Sequence, residues 1–434
     1  MKGWTAQLRA VVAAGAMGIS ALMASTAASA VEIKIGYMKH PIQEASIAIM
    51  EKWAEKNGVT IVKIPMAYEI FMEKVTATLT SGGDQYDIIW HNDDWGQLWK
   101  NWLTPTNDVP GMDTVLKQTV DVAFLNDDGK PTVVPMAHTF GVFYYRTDLV
   151  DEAHLPKTWD ELSTISQKLQ QDGKVKWGFV GSMAMNHSWF SWFWANWTNN
   201  CDVLAPAYER DNKVLAANGW KPMIADKCSQ QVVEYWWDAI NKTKISPPAM
   251  ISYTRNDANA IFQAGDAAFT VADLTLYGQF NDPKKSKVSG KINIGFLPLG
   301  PSRTEPVAWN DIWGWAIPKG VPAERKEAAK KMLGAMLLDK EGQIELWKAT
   351  GGPPPNTEVW KTLAETDPLF RRADEVVFKV MKVIAGGYYT PEWPAIHKAY
   401  NDGVVGALNG SREDIPKKLE AAAPAIHAAA ARTN

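Results

Sequence analysis

Hydrophobic and polar positions along the chain follow two different periods. The stretches VEIKIGYM (31–38) and VTIVKIP (59–65) are rich in β-branched residues without helical spacing, which predicts two strands. Between them, apolar residues recur every three or four positions from Ile42 to Trp53. That spacing predicts the buried face of a helix, and Asn57-Gly58 is a typical C-terminal cap for it.

The same change of period continues towards the C terminus. Strand-like runs and helical stretches follow one another without an internal repeat, and the only low-complexity segment is the alanine-rich tail. The predicted strands are 87–90, 291–299 and 313–318, and the predicted helices are 71–79, 158–173 with the capping box TWDE at its start, 186–197, 230–242, 256–265 with Asn256 as its cap, and 324–338. This alternation predicts an α/β fold with parallel-rich sheets flanked by helices.

The stretch YDIIWHNDDWGQLWKNW (86–102) places polar side chains directly after a buried strand. Asp87–Trp90 predicts the strand, and His91-Asn92-Asp93-Asp94 follows at its carboxyl end. Ligands bind outside the carboxyl ends of the strands in open α/β sheets. Apolar residues then recur at helical spacing, so we expect Trp99 in the core and Asp94 as the helix cap. The polar residues are therefore candidates for a binding site, for a cap, or for both.

The first thirty residues have the pattern of a cleaved secretory signal peptide. Lys2 and Arg9 form a short basic region, AVVAAGAMGISALMA is an apolar region too short to span a bilayer, and Ala28-Ser29-Ala30 supplies a cleavage site. An N-terminal membrane anchor is the alternative. Residues 1–30 are therefore predicted to direct export to the periplasm, with Val31 as the mature N terminus.

Charge and length limit the partners of the mature chain. The formal net charge of −3 becomes −5 when Lys2 and Arg9 leave with the signal peptide. A mildly acidic, mixed surface argues against nucleic acid or an anionic membrane as a partner. No other apolar run reaches transmembrane length, and 404 of the 434 residues remain, enough for two lobes with separate cores. We expect a soluble monomer without a cofactor.

Cys201 and Cys228 are the only cysteines. Export to an oxidising compartment favours a disulfide between them, across a separation of 27 residues. Two free buried thiols are the alternative. The chain has no CxxC motif, and neither cysteine has a metal-ligand pattern beside it.

The 21 tryptophans are more than a hydrophobic core requires. An indole is a flat apolar plate with one N–H donor, which suits a ligand that has C–H faces and hydroxyl edges. A sugar has that chemistry. Most of the individual tryptophans, such as Trp53, Trp236 and Trp237 on helical stripes, are nevertheless expected in the core.

Several blocks of sequence follow one another in a recognisable order. They are YDIIWHNDDWGQLWKNWLTPTND, GKPTVVPMAHTFGVFYYRTDLVDEAHLPKTWDEL, NDANAIFQAGDAAFTVAD, INIGFLPLGP, WGWAIPKGVPAERKEAAKKMLGAMLLDKEGQIELW and ATGGPPPN. In this order and at these separations, the blocks resemble the extracellular solute-binding proteins of ABC importers, the family of maltose-binding proteins. The resemblance spans most of the mature chain.

The resemblance implies a two-lobed periplasmic-binding-protein fold with a ligand cleft between the lobes. One lobe is expected to contain residues 31–139 and 295–345, and the other residues 142–290 and 350–434. The lobes would close on a solute by a hinge motion and present it to the transmembrane subunits of the importer.

The resemblance also implies which residues face the cleft, because relatives contact sugar hydroxyls from the same loops and crossings. Ionised carboxylates are strong acceptors for hydroxyl groups. For each residue, the alternative is a satisfied surface polar group. The implied ligand contacts are His40, His91, Asp93, Asp94, His138, Phe140, His187, Trp189, Asp273, Trp309, Asn310, Asp311 and Trp313.

The chain differs from maltodextrin-binding members of the family at two of these places. His138-Thr139-Phe140 replaces an acidic contact, and Asp273-Leu274-Thr275 stands where those members have an indole. Both differences argue against a maltodextrin. A smaller carbohydrate or a polyol is the expected solute.

A carbohydrate-active enzyme and a carrier of a metal ion or a zwitterion are the rival interpretations. Asp93 and Asp311 could flank a glycosidic bond. However, the mature sequence has no GxSxG, HExxH, Walker or GxGxxG motif, and His91, His138 and His187 lack short metal-ligand spacing. We therefore expect a binding protein that is neither an enzyme nor a metal carrier.

Overall fold

Two β-sheets, each between layers of helices, organise the computed structural model, which describes residues 31–116, 125–384 and 390–433. The predicted signal peptide at 1–30 lies outside these residues. Contacts group Val31–Asn434 into one unit. Within the described part of the chain, no helix is long and apolar enough to cross a membrane.

The strands and helices within the described ranges alternate over most of the chain. The strands are β1 Val31–Met38, β2 Val59–Met66, β3 Ile88–Asn92, β4 Val133–Thr139, β5 Gly141–Arg146, β6 Trp177–Val180, β7 Ala267–Asp273, β8 Ile292–Gly295, β9 Ala308–Ala316 and β10 Met381–Ile384. The helices are α1 Pro41–Lys56, α2 Tyr68–Ser81, α3 Gly96–Trp99, α4 Trp159–Gln171, α5 Trp192–Thr198, α6 Asn212–Ala217, α7 Lys227–Asn241, α8 Arg255–Gln263, α9 Tyr277–Phe280, α10 Ala323–Leu338, α11 Lys340–Thr350, α12 Thr357–Thr366, α13 Pro368–Ala373, α14 Trp393–Leu408 and α15 Ile415–Ala430.

The first sheet has the strand order β10-β9-β3-β1-β2, and β4 also pairs with β9. Strand β1 is parallel to both β2 and β3, whereas β9 is antiparallel to β3 and β4. The predicted strand at 31–38 and the helix that follows it are confirmed, and Asn57 is the C-cap of α1 as expected. These strands share a core that includes Ile33, Ile89 and Trp315.

The second sheet has the order β6-β7-β5-β8 and is buried on both faces. Successive side chains of a strand point to opposite faces. Accordingly, Phe143 and Tyr145 of β5 enter one core cluster, and Val142 and Tyr144 enter another. The predicted capping box before α4 is confirmed: the Thr158 side chain accepts the N–H of Glu161, and the Glu161 side chain accepts the N–H of Thr158.

Strand β9 contacts the cores of both lobes. Trp309 packs in the core of the second sheet, and Ile312 packs in the core of the first. The strand begins at Ala308, five residues before the predicted start, and ends at Ala316. The lobe boundaries at 139–142, 291–295 and 345–350 remain predictions.

Gly141 lies where the chain passes from β4 to β5, next to β9. A Cβ atom at this position would lie 2.3 Å from Cζ2 of Trp309, closer than two non-bonded carbon atoms can approach. The indole therefore occupies the space that a side chain would need. This contact fixes Trp309 at the junction of the two lobes.

The segment after β3 differs from its prediction. Strand β3 extends through His91 and Asn92, and the expected helix is a series of single turns: a 3₁₀ turn at Asp93–Trp95, α3 and a second 3₁₀ turn at Lys100–Trp102. The cap is Asn92, whose Oδ1 accepts the N–H of Asp94 at 3.4 Å. The prediction that Asp94 caps a helix is therefore wrong, and its carboxylate is not used as a cap.

The predicted helix at 186–197 is also interrupted. It consists of a 3₁₀ turn at Ser188–Phe190 followed by α5. The break is at Ser191, whose hydroxyl donates to the carbonyl of Ser188 at 3.2 Å. A local side-chain bond of this kind competes with continuation of the helix.

Cys201 and Cys228 form a disulfide, with Cα atoms 5.7 Å apart. Asn199 adds a second link beside it, because its Nδ2 donates to the carbonyl of Cys228 at 2.9 Å. The excursion between α5 and α7 is thus attached to the start of α7.

Trp99 is fully buried, as predicted, and its Nε1 donates to Oγ1 of Thr76 at 2.9 Å. Trp99→Ala should lower the free energy of unfolding by about 3–5 kcal/mol, because it leaves a cavity and removes a buried hydrogen bond. Urea denaturation measures this. Trp102→Ala, at a partly exposed position of the same segment, is the control and should cost less. Equal losses in both variants would contradict the core assignment.

Candidate functional site

A cavity of about 40 Å³ lies between the two sheets, and the space between its walls totals about 550 Å³ with the open mouth included. Its walls come from the carboxyl ends of β1, β3 and β7, from the start of α8 and from β9, as expected for α/β folds. The lining residues are Met38, Tyr68, Asn92, Asp94, Phe140, Asn186, Trp189, Phe190, Arg255, Asp273, Trp309, Asp311 and Trp313.

Aromatic rings form much of the wall. Trp189 is partly exposed and stacks on Phe193, with centroids 4.0 Å apart and planes 18° apart. Behind it lie Trp393 at 6.4 Å and His397 at 5.6 Å, both on α14. This packing fixes the indole of Trp189 as a plate at the edge of the cavity.

Arg255 and Asp273 form an ion pair in the wall, with Nη1 and Oδ2 3.2 Å apart. Burial raises the pKa of Asp273 although the Arg255 charge opposes the shift. The guanidinium also lies over the ring of Phe190, 5.7 Å from its centroid. The positive charge of Arg255 is therefore already balanced by a neighbouring carboxylate.

Asp311 lines the cavity, whereas Asp93 lies behind it and is 3 % exposed. The two carboxyl groups are within hydrogen-bonding reach of each other, and Oδ2 of Asp93 accepts the N–H of Ile312 at 3.4 Å. Burial raises the pKa of Asp93 well above its usual range, and the Asp311 charge raises it further. Burial also raises the pKa of Asp311.

Seven of the thirteen predicted contacts line the cavity, and their role as ligands remains a prediction. The strand pattern of β9 explains three of them, because side chains two residues apart share a face. The seven residues are Asp94, Phe140, Trp189, Asp273, Trp309, Asp311 and Trp313.

Histidines account for four of the six other predicted residues. His91 points away from the cavity, and its ring meets Trp99 edge-on at 5.4 Å. His138 faces Asn310 instead, with Nδ1 and Oδ1 3.1 Å apart. His40 caps α1 by accepting the N–H of Ile42 at 3.3 Å, and its ring lies 5.1 Å from Trp313.

His187 also binds the backbone. Its Nδ1 accepts the N–H of Arg255 at 3.4 Å, at the start of α8. With Asp93 and Asn310, it lies next to the wall and not in it. Among the described residues, no group of three or more His, Cys, Asp or Glu side chains is placed to hold a metal ion.

The ligand contacts implied by the resemblance omit six lining residues: Met38, Tyr68, Asn92, Asn186, Phe190 and Arg255. A signal existed for Arg255. Thr254 and Asp257 form a capping box, so α8 begins at Arg255, and the prediction that Asn256 caps this helix is wrong. The Thr-x-x-Asp spacing would have placed Arg255 at the helix start.

Comparison with known proteins identifies the family. A model of the bacterial extracellular solute-binding proteins matches residues 48–371. The chain belongs to this family. A probable ABC transporter-binding protein of Deinococcus radiodurans is 24 % identical over 301 residues, 66 % of this chain and 67 % of the relative. A putative ABC transporter periplasmic-binding protein of Escherichia coli K12 is 23 % identical over 325 residues, 70 % and 68 % of the two chains.

Solved structures of solute-binding proteins share the two-lobed fold. The maltose-bound MalE3 of Thermotoga maritima has a TM-score of 0.75 at 23 % identity, covering 90 % of this chain and 98 % of the other. A ribitol complex from Agrobacterium radiobacter K84 has a TM-score of 0.72 at 20 % identity, covering 92 % and 98 %. The protein is thus an extracellular solute-binding protein, and the two relatives that it resembles are described as binding proteins of ABC transporters.

The buried position of His91 predicts a pH dependence of stability. Burial lowers its pKa to about 3, whereas an imidazole in the unfolded chain titrates near pH 6.5. Between these values the unfolded state binds more protons, so stability falls as the pH is lowered, by up to about 1.4 kcal/mol per pH unit. His91→Gln should flatten the plot of unfolding free energy against pH, measured by urea denaturation. The exposed His154→Gln is the control, and an unchanged slope for His91→Gln would contradict the prediction.

Proposed function

We propose that this solute-binding protein captures an uncharged carbohydrate or polyol of about monosaccharide size and delivers it to the membrane permease. The observation that carries the proposal is the cavity itself, in which aromatic plates and carboxylates line one space between the lobes. Structures with the same fold contain maltose, ribitol and α-D-tagatose, which supports a sugar or a polyol.

The lining groups match the chemistry of a polyhydroxylated solute. Asp94 and Asp311 offer carboxylate oxygens, which accept hydroxyl hydrogen bonds strongly. Trp189, Trp309 and Trp313 offer apolar faces and edges for C–H groups. The carboxylates would bind the hydroxyl groups at the edge of a sugar ring, and the indoles would pack against its face.

Size and charge narrow the solute class. The space between the walls is about 550 Å³ with the open mouth included, within the range of sites for small molecules, and a chain of many sugar rings would extend beyond it. The wall contains three carboxylates, and its one guanidinium is paired with Asp273. An acidic sugar would meet uncompensated negative charge.

We also propose that the solute is released unchanged. A glycosidase holds its two carboxyl groups about 5–5.5 Å or about 6.5–9.5 Å apart, on opposite sides of the bond. Asp93 and Asp311 are instead within hydrogen-bonding reach of each other, and Asp93 does not line the cavity. A product assay tests this: chromatography of a bound solute after long incubation should recover it intact, and any product would contradict the proposal.

A thermal-shift screen over pentoses, hexoses, polyols, maltodextrins, sugar acids and glycine betaine tests the solute class. A small neutral sugar or polyol should raise the melting temperature, since it binds only the native state. Stabilisation by betaine alone would favour a zwitterion carrier, because aromatic walls with carboxylates also suit a cation.

With the solute identified, Trp189→Ala should weaken binding about tenfold through lost stacking area, and Asp311→Asn should weaken it about tenfold or more. Isothermal titration calorimetry measures both effects. Trp237→Ala is the matched control, because its indole binds the carbonyl of Gly410 and does not line the cavity. Unchanged affinity in Trp189→Ala and Asp311→Asn would place the site elsewhere.

Closure of the lobes should accompany binding. Small-angle scattering is expected to show a smaller radius of gyration with the solute, and tryptophan fluorescence should change because Trp189 loses solvent contact. A sugar that gives no thermal shift is the control. A tight complex with both signals unchanged would indicate a rigid pocket.

A further inference from the structure

One carboxyl group in the wall of the cavity has a second, buried carboxyl group directly behind it. Asp311 is at the surface of the cavity, and Asp93 lies behind it, almost completely buried. Asp93 is held in place by the N–H of Ile312, which donates to its Oδ2. Its position is therefore set by the backbone of β9, the same strand that carries Asp311.

Both carboxyl groups have an oxygen that lacks a donor. Oδ1 of Asp93 and Oδ1 of Asp311 are buried and receive no hydrogen bond from the described residues. An ionised carboxylate can only accept hydrogen bonds. Two carboxyl groups in reach of each other are both satisfied only when one carries a proton and donates it to the other, because two adjacent buried negative charges repel.

Burial raises the pKa of both carboxyl groups. Trp313, Thr139 and Arg255 oppose this shift at Asp311, whereas only the N–H of Ile312 opposes it at Asp93. Asp94 and Asp273 add negative charge, and Arg255 is held by Asp273. The nearby imidazoles are neutral above about pH 5: burial lowers the pKa of His40 and of His138 to about 4 and that of His91 to about 3.

We propose that Asp93 is a positioning residue whose protonated carboxyl group donates a hydrogen bond to Asp311 and thereby directs the free oxygen of Asp311 towards the solute hydroxyls. The proposal rests on the proposed function and assigns different roles to the two carboxyl groups. Asp311 touches the solute, and Asp93 acts through Asp311. The raised pKa of Asp93, caused by burial and the Asp311 charge, agrees with this geometry.

Infrared difference spectroscopy of the mature protein tests the protonation state without a solute. The spectrum of wild type minus Asp93→Asn at about pH 7 should show the C=O band of a protonated carboxyl group, well separated from the carboxylate bands. A carboxylate band in its place would overturn the proposal. Wild type minus Asp94→Asn is the matched control, since Asp94 is the neighbouring carboxylate in the wall.

Binding measurements then test the positioning role. Asp93→Ala removes the donor and should weaken binding about tenfold. Asp93→Asn keeps an N–H donor for Asp311 and an oxygen for the Ile312 N–H, so it should restore most of the lost affinity. Its affinity should also vary less with pH than that of wild type, because the amide has no proton to lose. Circular dichroism of each variant checks folding.

Failure of this inference is distinguishable from failure of the proposed function. If no sugar or polyol binds the wild type, the proposed function fails, and the infrared result still decides the state of Asp93. If wild type binds a sugar but Asp93→Asn is as weak as Asp311→Asn, Asp93 needs its charge and the positioning role is wrong.

Discussion

The placement of strand β9 across both cores is the constraint on which the rest of the structure depends. It pairs with β3 on one side and β4 on the other, and its first residues pack in the core of the second sheet. Its alternation sends Trp309, Asp311 and Trp313 into the cavity, while Asn310 faces His138. A slip of one residue would exchange these faces. The antiparallel ladders and the Gly141 contact with Trp309 oppose such a slip.

Electrostatic balance is the second constraint, because four acidic side chains lie in the wall of the cavity or buried directly behind it. Asp273 is balanced by Arg255, whereas Asp93 lies beside the carboxyl groups of Asp311 and Asp94 and accepts one backbone N–H. Burial penalises charge unless it is paired or hydrogen-bonded. In the proposed arrangement, Asp311 keeps its negative charge at the cavity wall, and the carboxyl group immediately behind it, Asp93, is neutral.

The sequence predicted long periodic elements and the location of the polar clusters well, and predicted the fine geometry poorly. Strand β1, helix α1 and the capping box at Thr158 have strong local signals. The apolar residues after Asp94 have helical spacing but form separate turns, because Asn92 caps the first turn and too few residues follow to sustain a helix. The resemblance implies a ligand contact at Asn310 from a loop before residue 313, but β9 already begins at Ala308, and strand alternation turns Asn310 away from the cavity. The same alternation along β3 explains why Asn92 lines the cavity and His91 does not. The capping box at Thr254 indicates that Arg255 starts a helix, but no local pattern predicts that this helix start meets Asp273 at the cavity wall.

The plate formed by Trp189 has a consequence for the order in which the protein matures. Its supporting contacts, Trp393 and His397, lie about two hundred residues later in the chain. During translation and secretion, the polypeptide emerges from its N terminus, so one wall of the cleft is complete before the residues that brace the opposite wall have appeared. Contacts between residues so far apart in sequence form late, since closing the intervening chain costs entropy. A nascent chain that has folded its first sheet therefore lacks these contacts, and the wall that contains Trp189 is complete only when α14 docks.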